Sequence, residues 1–182
     1  MIAAAAMTLA LLSSAQWDCE VWKKKVEPET IQADIQTRGL WFVYRELTCD
    51  NDVWDKVIAG VESGTPAWLK VALVLSKMAD GGASEDLGWT LSGLLAKEPR
   101  SVLELIHRSK EAAGPKDSIL DEGFICGNYE IVKTREQANR LLKAQEDGVS
   151  AIDDAKLGAI REGCLQAIRE ARKTLANAQF PK

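Results

Sequence analysis

Histidine is almost missing from this sequence: His107 is the sole imidazole in 182 residues. One imidazole excludes a His-rich metal site within the chain, and any Ser-His-Asp or Cys-His relay has to be built on that residue. His107 sits between Ile106 and Arg108 on an amphipathic stretch with no G-x-S-x-G beside it. Ser63, in ESGTP, reads as the turn residue that ends a helix, so no nucleophile is in reach. Phosphate-cradling loops are lacking too, because Gly81 and Gly82 are followed by neither the further glycine nor the lysine such loops need. No cofactor is implied by any of these patterns.

Positive charge is not in excess. Lys and Arg number 23 against 27 Asp and Glu, a net charge of −4, which argues against a nucleic-acid binder held by phosphate neutralisation. No apolar run reaches the roughly 20 residues of a membrane span. Residues 1–15, MIAAAAMTLALLSSA, are uncharged and end in Ser13, Ser14 and Ala15, the small side chains that signal peptidase requires. This segment reads as a cleaved signal peptide, although its n-region has no Lys or Arg, and the folded chain then begins at Gln16. Cys19 is preceded by Trp17 and Asp18, so a lipid-modification site is excluded. The expected compartment is the periplasm or the exterior.

An oxidising compartment gives meaning to four cysteines, at 19, 49, 126 and 164. No two of them lie within four residues of each other, which removes the usual zinc spacings. Three disulfide pairings are open. Cys19 with Cys49 and Cys126 with Cys164 is preferred, since each then closes a loop of a few tens of residues joining neighbouring helices.

Long alternating or β-branched runs are also absent, and the apolar residues follow helical spacing. Ile31, Ile35, Leu40, Val43 and Leu47 form one series, bent or split at Gly39. Val53, Trp54, Val57, Ile58 and Val61 form a second, capped near Asp50, and Pro66 opens the next helix. Ser84 reads as the N-cap of a helix carrying Leu87, Leu91, Leu94 and Leu95, with Glu85 and Asp86 in its first turn. Pro99 opens the helix of Val102, Leu103 and Ile106. Residues 109–132 read as a long connection with a short helix around Ile119, and two more helices follow, 134–150 and 153–178.

The expected fold is therefore all-α: stacked antiparallel helical hairpins of HEAT or tetratricopeptide kind, or an irregular bundle, stabilised by disulfides. It is read as one domain over 16–182, with two hairpins in 51–108 and a helical pair in 133–178. An internal repeat at an offset of 33 aligns Trp54 with Leu87, Ile58 with Leu91, Val61 with Leu94, Pro66 with Pro99, Leu69 with Val102 and Leu73 with Ile106. Generic core positions of any two hairpins produce the same pattern.

Binding candidates come from tryptophan and acid. Trp54, Trp68 and Trp89 fall on core faces, while Trp17, Trp22 and Trp41 lie in a less regular region and are candidate exposed anchors. Residues 51–132 carry 13 acidic against 8 basic side chains, and 133–182 carry 7 against 10. Glu85 and Asp86 mark the acidic middle, which suits a basic partner. The segment from Arg45 to Leu105, with GTPAWLKVAL, DGGASEDL and KEPRSVLEL, together with FICG and GCLQAIRE, resembles small exported helical proteins of Gram-negative bacteria. That resemblance implies a habitat and no reaction.

The sequence-level expectation is an exported, non-enzymatic protein-binding module. One version is an immunity or inhibitor protein that occludes a basic, envelope-targeting toxin; the partner is otherwise an envelope protein. The alternative is a cell-wall hydrolase using a carboxylate pair such as Glu46 and Asp80, and a further one is a structural envelope component. Partner identity and oligomeric state have no signature in the sequence.

Overall fold

A computed structural model describes residues 19–113 and 120–177, and among these every regular element is helical. Residues 1–15, expected as a signal peptide, and also Trp17 and Ile119 lie outside the described residues. A four-residue helix α1 (Glu20–Lys23) leads into α2 (Pro28–Arg38) and α3 (Leu40–Thr48). Gly39 separates the latter two with φ +90°, a backbone conformation that only glycine adopts without strain. The 31–47 periodicity is thus two helices with a corner, the split that Gly39 announces.

Proline and aspartate place the next starts. Helix α4 (Asn51–Glu62) is capped by Asp50, whose carboxylate accepts the Asp52 amide at 2.9 Å. Helices α5 (Pro66–Leu75) and α7 (Pro99–Ala113) each begin on a proline, whose missing N–H is not needed there. Helix α6 (Gly81–Leu95) differs from expectation: it begins a turn before Ser84, at the residue following Asp80. The Ser84 hydroxyl donates to the Gly81 carbonyl at 2.8 Å instead of capping, which moves Glu85 and Asp86 from the first turn into the second. Burial of Leu87, Leu91, Leu94 and Leu95 supports that helix, so the low propensity of Gly81 and Gly82 does not set its start.

The hairpins stack in two rows. Helices α3, α4 and α6 lie side by side in one row and α2, α5 and α7 in the other. The pairs α4–α5 and α6–α7 therefore occupy equivalent places, and the 33-residue offset is a repeat of position in the stack. The α2–α3 pair enters with its rows in the opposite order, so the regular repeat is confined to two copies. Helices α8 (Glu122–Ile125), α9 (Arg135–Ser150) and α10 (Gly158–Leu175) close the carboxy-terminal end, with a 3-10 turn at Ala155–Leu157 before α10. One core runs through the stack from Trp22 to Leu175.

The disulfides are Cys19–Cys49 and Cys126–Cys164, with Cα atoms 6.1 and 5.1 Å apart. The first ties α1 to the end of α3, and the second ties the turn after α8 to α10. Both fit a protein that resides outside the reducing cytoplasm. No described helix is long and apolar enough to cross a membrane. Glycine also does work that periodicity does not reveal: the Trp68 ring rests on Gly60 and the Phe124 ring on Gly88, each in space that a Cβ would fill.

Candidate functional site

Helix α3 turns Val43, Tyr44, Glu46 and Leu47 inward and leaves Trp41, Phe42 and Arg45 exposed. Trp41 is 48% exposed and Phe42 40%, their rings meeting edge to face with centroids 5.2 Å apart. Trp41, Arg45 and Thr48 follow at spacings of four and three, one stripe on the helix surface. Trp41 thus reaches solvent.

Trp22 does not. It is 1% exposed, and its indole N–H donates to Glu46 Oε2 at 3.2 Å. The Arg38 guanidinium donates to both oxygens of the same carboxylate, at 3.0 and 2.8 Å. The cause is local: the Cys19–Cys49 bridge holds α1 down, and a polar partner at the indole tip lets the ring enter the core. Glu46 accordingly has three donors and a structural task. Trp89, expected on a core face, is only partly covered and lines a groove of about 210 Å³ with Ile131 and Thr90.

A second cavity, of about 330 Å³, opens where the end of α3, the start of α4 and the first turns of α6 meet. Tyr44, Arg45, Asn51, Trp54, Asp80 and Asp86 supply its chemistry. Tyr44 and Trp54 are buried, edge to face at 6.5 Å. The Tyr44 hydroxyl donates to Asp80 Oδ1 at 3.3 Å, and the Trp54 indole N–H donates to Asp86 Oδ2 at 2.9 Å. Burial pushes the Tyr44 hydroxyl above its ordinary range, so it remains protonated and serves as a donor. Asp80 occupies the N-cap position of α6 yet makes no side-chain cap bond. Among the described residues neither Asp80 nor Asp86 forms an ion pair with a lysine or arginine.

No protein-family model, curated protein or solved structure matches the chain.

The structure redraws the carboxylate pair. Asp80 shares its cavity with Asp86, whereas Glu46 is not among the lining residues and is occupied by Arg38 and Trp22. Glu85 is exposed on α6 itself and does not line the cavity. His107 is half-buried on α7 with Nε2 3.5 Å from Glu111 Oε1, one turn further on, and the groove there is lined by Glu104, Arg108, Asp154 and Lys156. No group of three or more His, Cys, Asp or Glu comes together among the described residues in a way that holds a metal ion.

Four features of the site escaped the sequence reading: Tyr44, Arg45, Asn51 and the polar tip of Trp54. Tyr44 carried no signal beyond its place in an inward series. Trp54 was legible as core, and its polar tip was not, yet a hint existed: in the repeat Trp54 aligns with Leu87, the neighbour of Asp86, so α4 and α6 side by side bring the indole to that carboxylate.

Proposed function

We propose that the chain is a non-catalytic helical binding module of the bacterial periplasm, and that its α3 edge receives a protein partner. The observation that carries this reading is the pair Trp41 and Phe42, adjacent, in contact and exposed on one helix. Exposed aromatic side chains of that size are the usual anchors of a protein interface. The disulfides support an oxidising compartment, and the net charge of −4 supports a basic partner, such as a toxin that an immunity or inhibitor protein occludes.

A photo-crosslinking residue at position 41 of the full chain, expressed in its own periplasm, tests this. A discrete adduct is expected from position 41 and not from position 143, an exposed site on α9. Equal labelling at both positions overturns the reading. A second reading, a cell-wall hydrolase, is favoured by one observation, the two carboxylates Asp80 and Asp86 in a single cavity. Peptidoglycan zymography decides it: clearing that Asp80→Asn or Asp86→Asn abolishes supports a hydrolase.

A further inference from the structure

The cavity at the start of α6 presents two carboxylates, Asp80 and Asp86, that no lysine or arginine among the described residues pairs with. Tyr44 and Trp54, each more than nine-tenths buried, fix one oxygen of Asp80 and one of Asp86 by neutral donors. Each carboxylate keeps an oxygen that accepts no bond from the described residues, and neither forms an ion pair with a described lysine or arginine. Asp80 also forgoes the cap bond that its position offers, which turns its carboxylate toward Tyr44 and the cavity. Arg45 lines the rim, so the pocket as a whole carries one net negative charge. About 330 Å³ is room for the end of a long side chain, and the exposed stripe from Trp41 through Arg45 to Thr48 leads directly to it.

We propose that this pocket is the receptor for a basic side chain of the partner, a guanidinium before an ammonium, docked while the partner's apolar surface covers Trp41 and Phe42. The inference rests on the binding-module reading and deepens it. A planar guanidinium presents five donors in a fork, more than a single carboxylate uses, whereas an ammonium acts as a compact point charge. Carboxylates already oriented by donors on buried aromatic groups undergo little reorganisation when such a ligand enters. No bond is made or broken; the step is exchange of water for a charge-assisted hydrogen-bonded pair.

The test uses the full oxidised protein and N-acetyl-arginine methylamide as probe, read by the indole N–H resonance of Trp54, which Trp54→Phe assigns. Saturable movement of that resonance is expected with the arginine probe, weaker movement with the lysine analogue and none with the neutral isostere N-acetyl-citrulline methylamide. Asp86→Asn retains the acceptor for Trp54 and removes the charge, and Asp80→Asn does the same toward Tyr44; each is expected to weaken the arginine probe roughly tenfold. Glu85→Gln, exposed and outside the cavity, is expected to leave it unchanged. Citrulline acting as arginine does, or binding indifferent to both asparagine variants, overturns the proposal. If a partner crosslinks at position 41 and the Asp80→Asn, Asp86→Asn double variant binds it undiminished, the pocket inference fails and the module stands. Arginine binding without any partner adduct has the opposite meaning.

Discussion

The two disulfides close loops of similar length in opposite surroundings. Cys19 and Cys49 are 30 residues apart and Cys126 and Cys164 are 38 apart. Loop closure alone assigns about 4 kcal/mol to each, with no useful difference between them. Their settings differ. Cys49 is exposed and Cys19 half-buried, whereas Cys126 is 2% and Cys164 0% exposed. The first bridge pins a short surface helix, and its neighbourhood is ionic: Glu46 with Arg38 and Trp22, and Lys23 with Asp50 at 3.2 Å. The second adjoins a neutral network, where the Gly127 N–H donates to Gln145 Oε1 at 3.2 Å and Gln145 Nε2 donates to the Ser92 carbonyl and hydroxyl at 2.8 and 2.9 Å, with the Lys110–Glu122 ion pair on its other side against Gly163. Similar covalent constraint thus serves attachment at one end of the stack and core architecture at the other.

The largest break in that comparison is removal of each bridge in turn. Replacing Cys126 and Cys164 together by Ala is expected to cost more than the same change at Cys19 and Cys49, by at least about 1 kcal/mol, because cavities in the core add to the lost constraint. Urea unfolding of the two double variants measures it, and equal losses would show that loop closure alone matters. Access sharpens the same contrast. Brief treatment with dithiothreitol without denaturant, then alkylation and mass mapping, is expected to label Cys19 and Cys49 well before Cys126 and Cys164.

Next in size is Gln145→Leu. It strands the Gly127 N–H in the core and removes both bonds to Ser92, an expected loss of about 2–3 kcal/mol by urea unfolding. Gly127 cannot adjust by changing residue, since φ is +81° and a Cβ there would lie 2.7 Å from the Ala167 carbonyl oxygen. The counterpart at the ionic end is milder. Glu46→Gln leaves an amide oxygen for Trp22 or Arg38, and Arg38 is open enough to solvent to recover hydration, so about 1 kcal/mol is expected. A Glu46→Gln loss equal to that of Gln145→Leu would erase the distinction between the two ends.

These two positions also show where sequence reading reaches. Helix starts at Pro66 and Pro99 and the corner at Gly39 followed from local chemistry, because proline geometry and glycine dihedrals are written in a few adjacent residues, and the cysteine pairing preferred among three on loop length is the one formed. Gln145 is different: it falls at core spacing between Leu142 and Val149, and only the fold shows that Ser92 and Gly127 satisfy it. The same holds for the tryptophans. Trp22 and Trp41 look alike in sequence, and a carboxylate 24 residues from Trp22 decides that it is buried. Asp80 and Asp86 were visible as acids near a turn, but their common cavity depends on α6 starting a turn early and lying beside α4.

The smallest expected effect is a titration that separates the two ends by pH. Burial raises the Tyr44 hydroxyl above its ordinary value near 10, so the folded chain keeps a proton that the unfolded chain releases. Between those two values the unfolded state binds fewer protons, and stability falls as pH rises. The contribution is complete below about pH 10 and is lost as pH climbs through the folded value. Unfolding curves at a series of alkaline pH values are expected to fall less steeply for Tyr44→Phe than for the native chain, while Gln145→Leu keeps the native slope despite its larger loss. A Tyr44→Phe variant with an unchanged slope would mean that the hydroxyl faces water freely, and the aromatic floor assigned to the Asp80 and Asp86 cavity would no longer be closed.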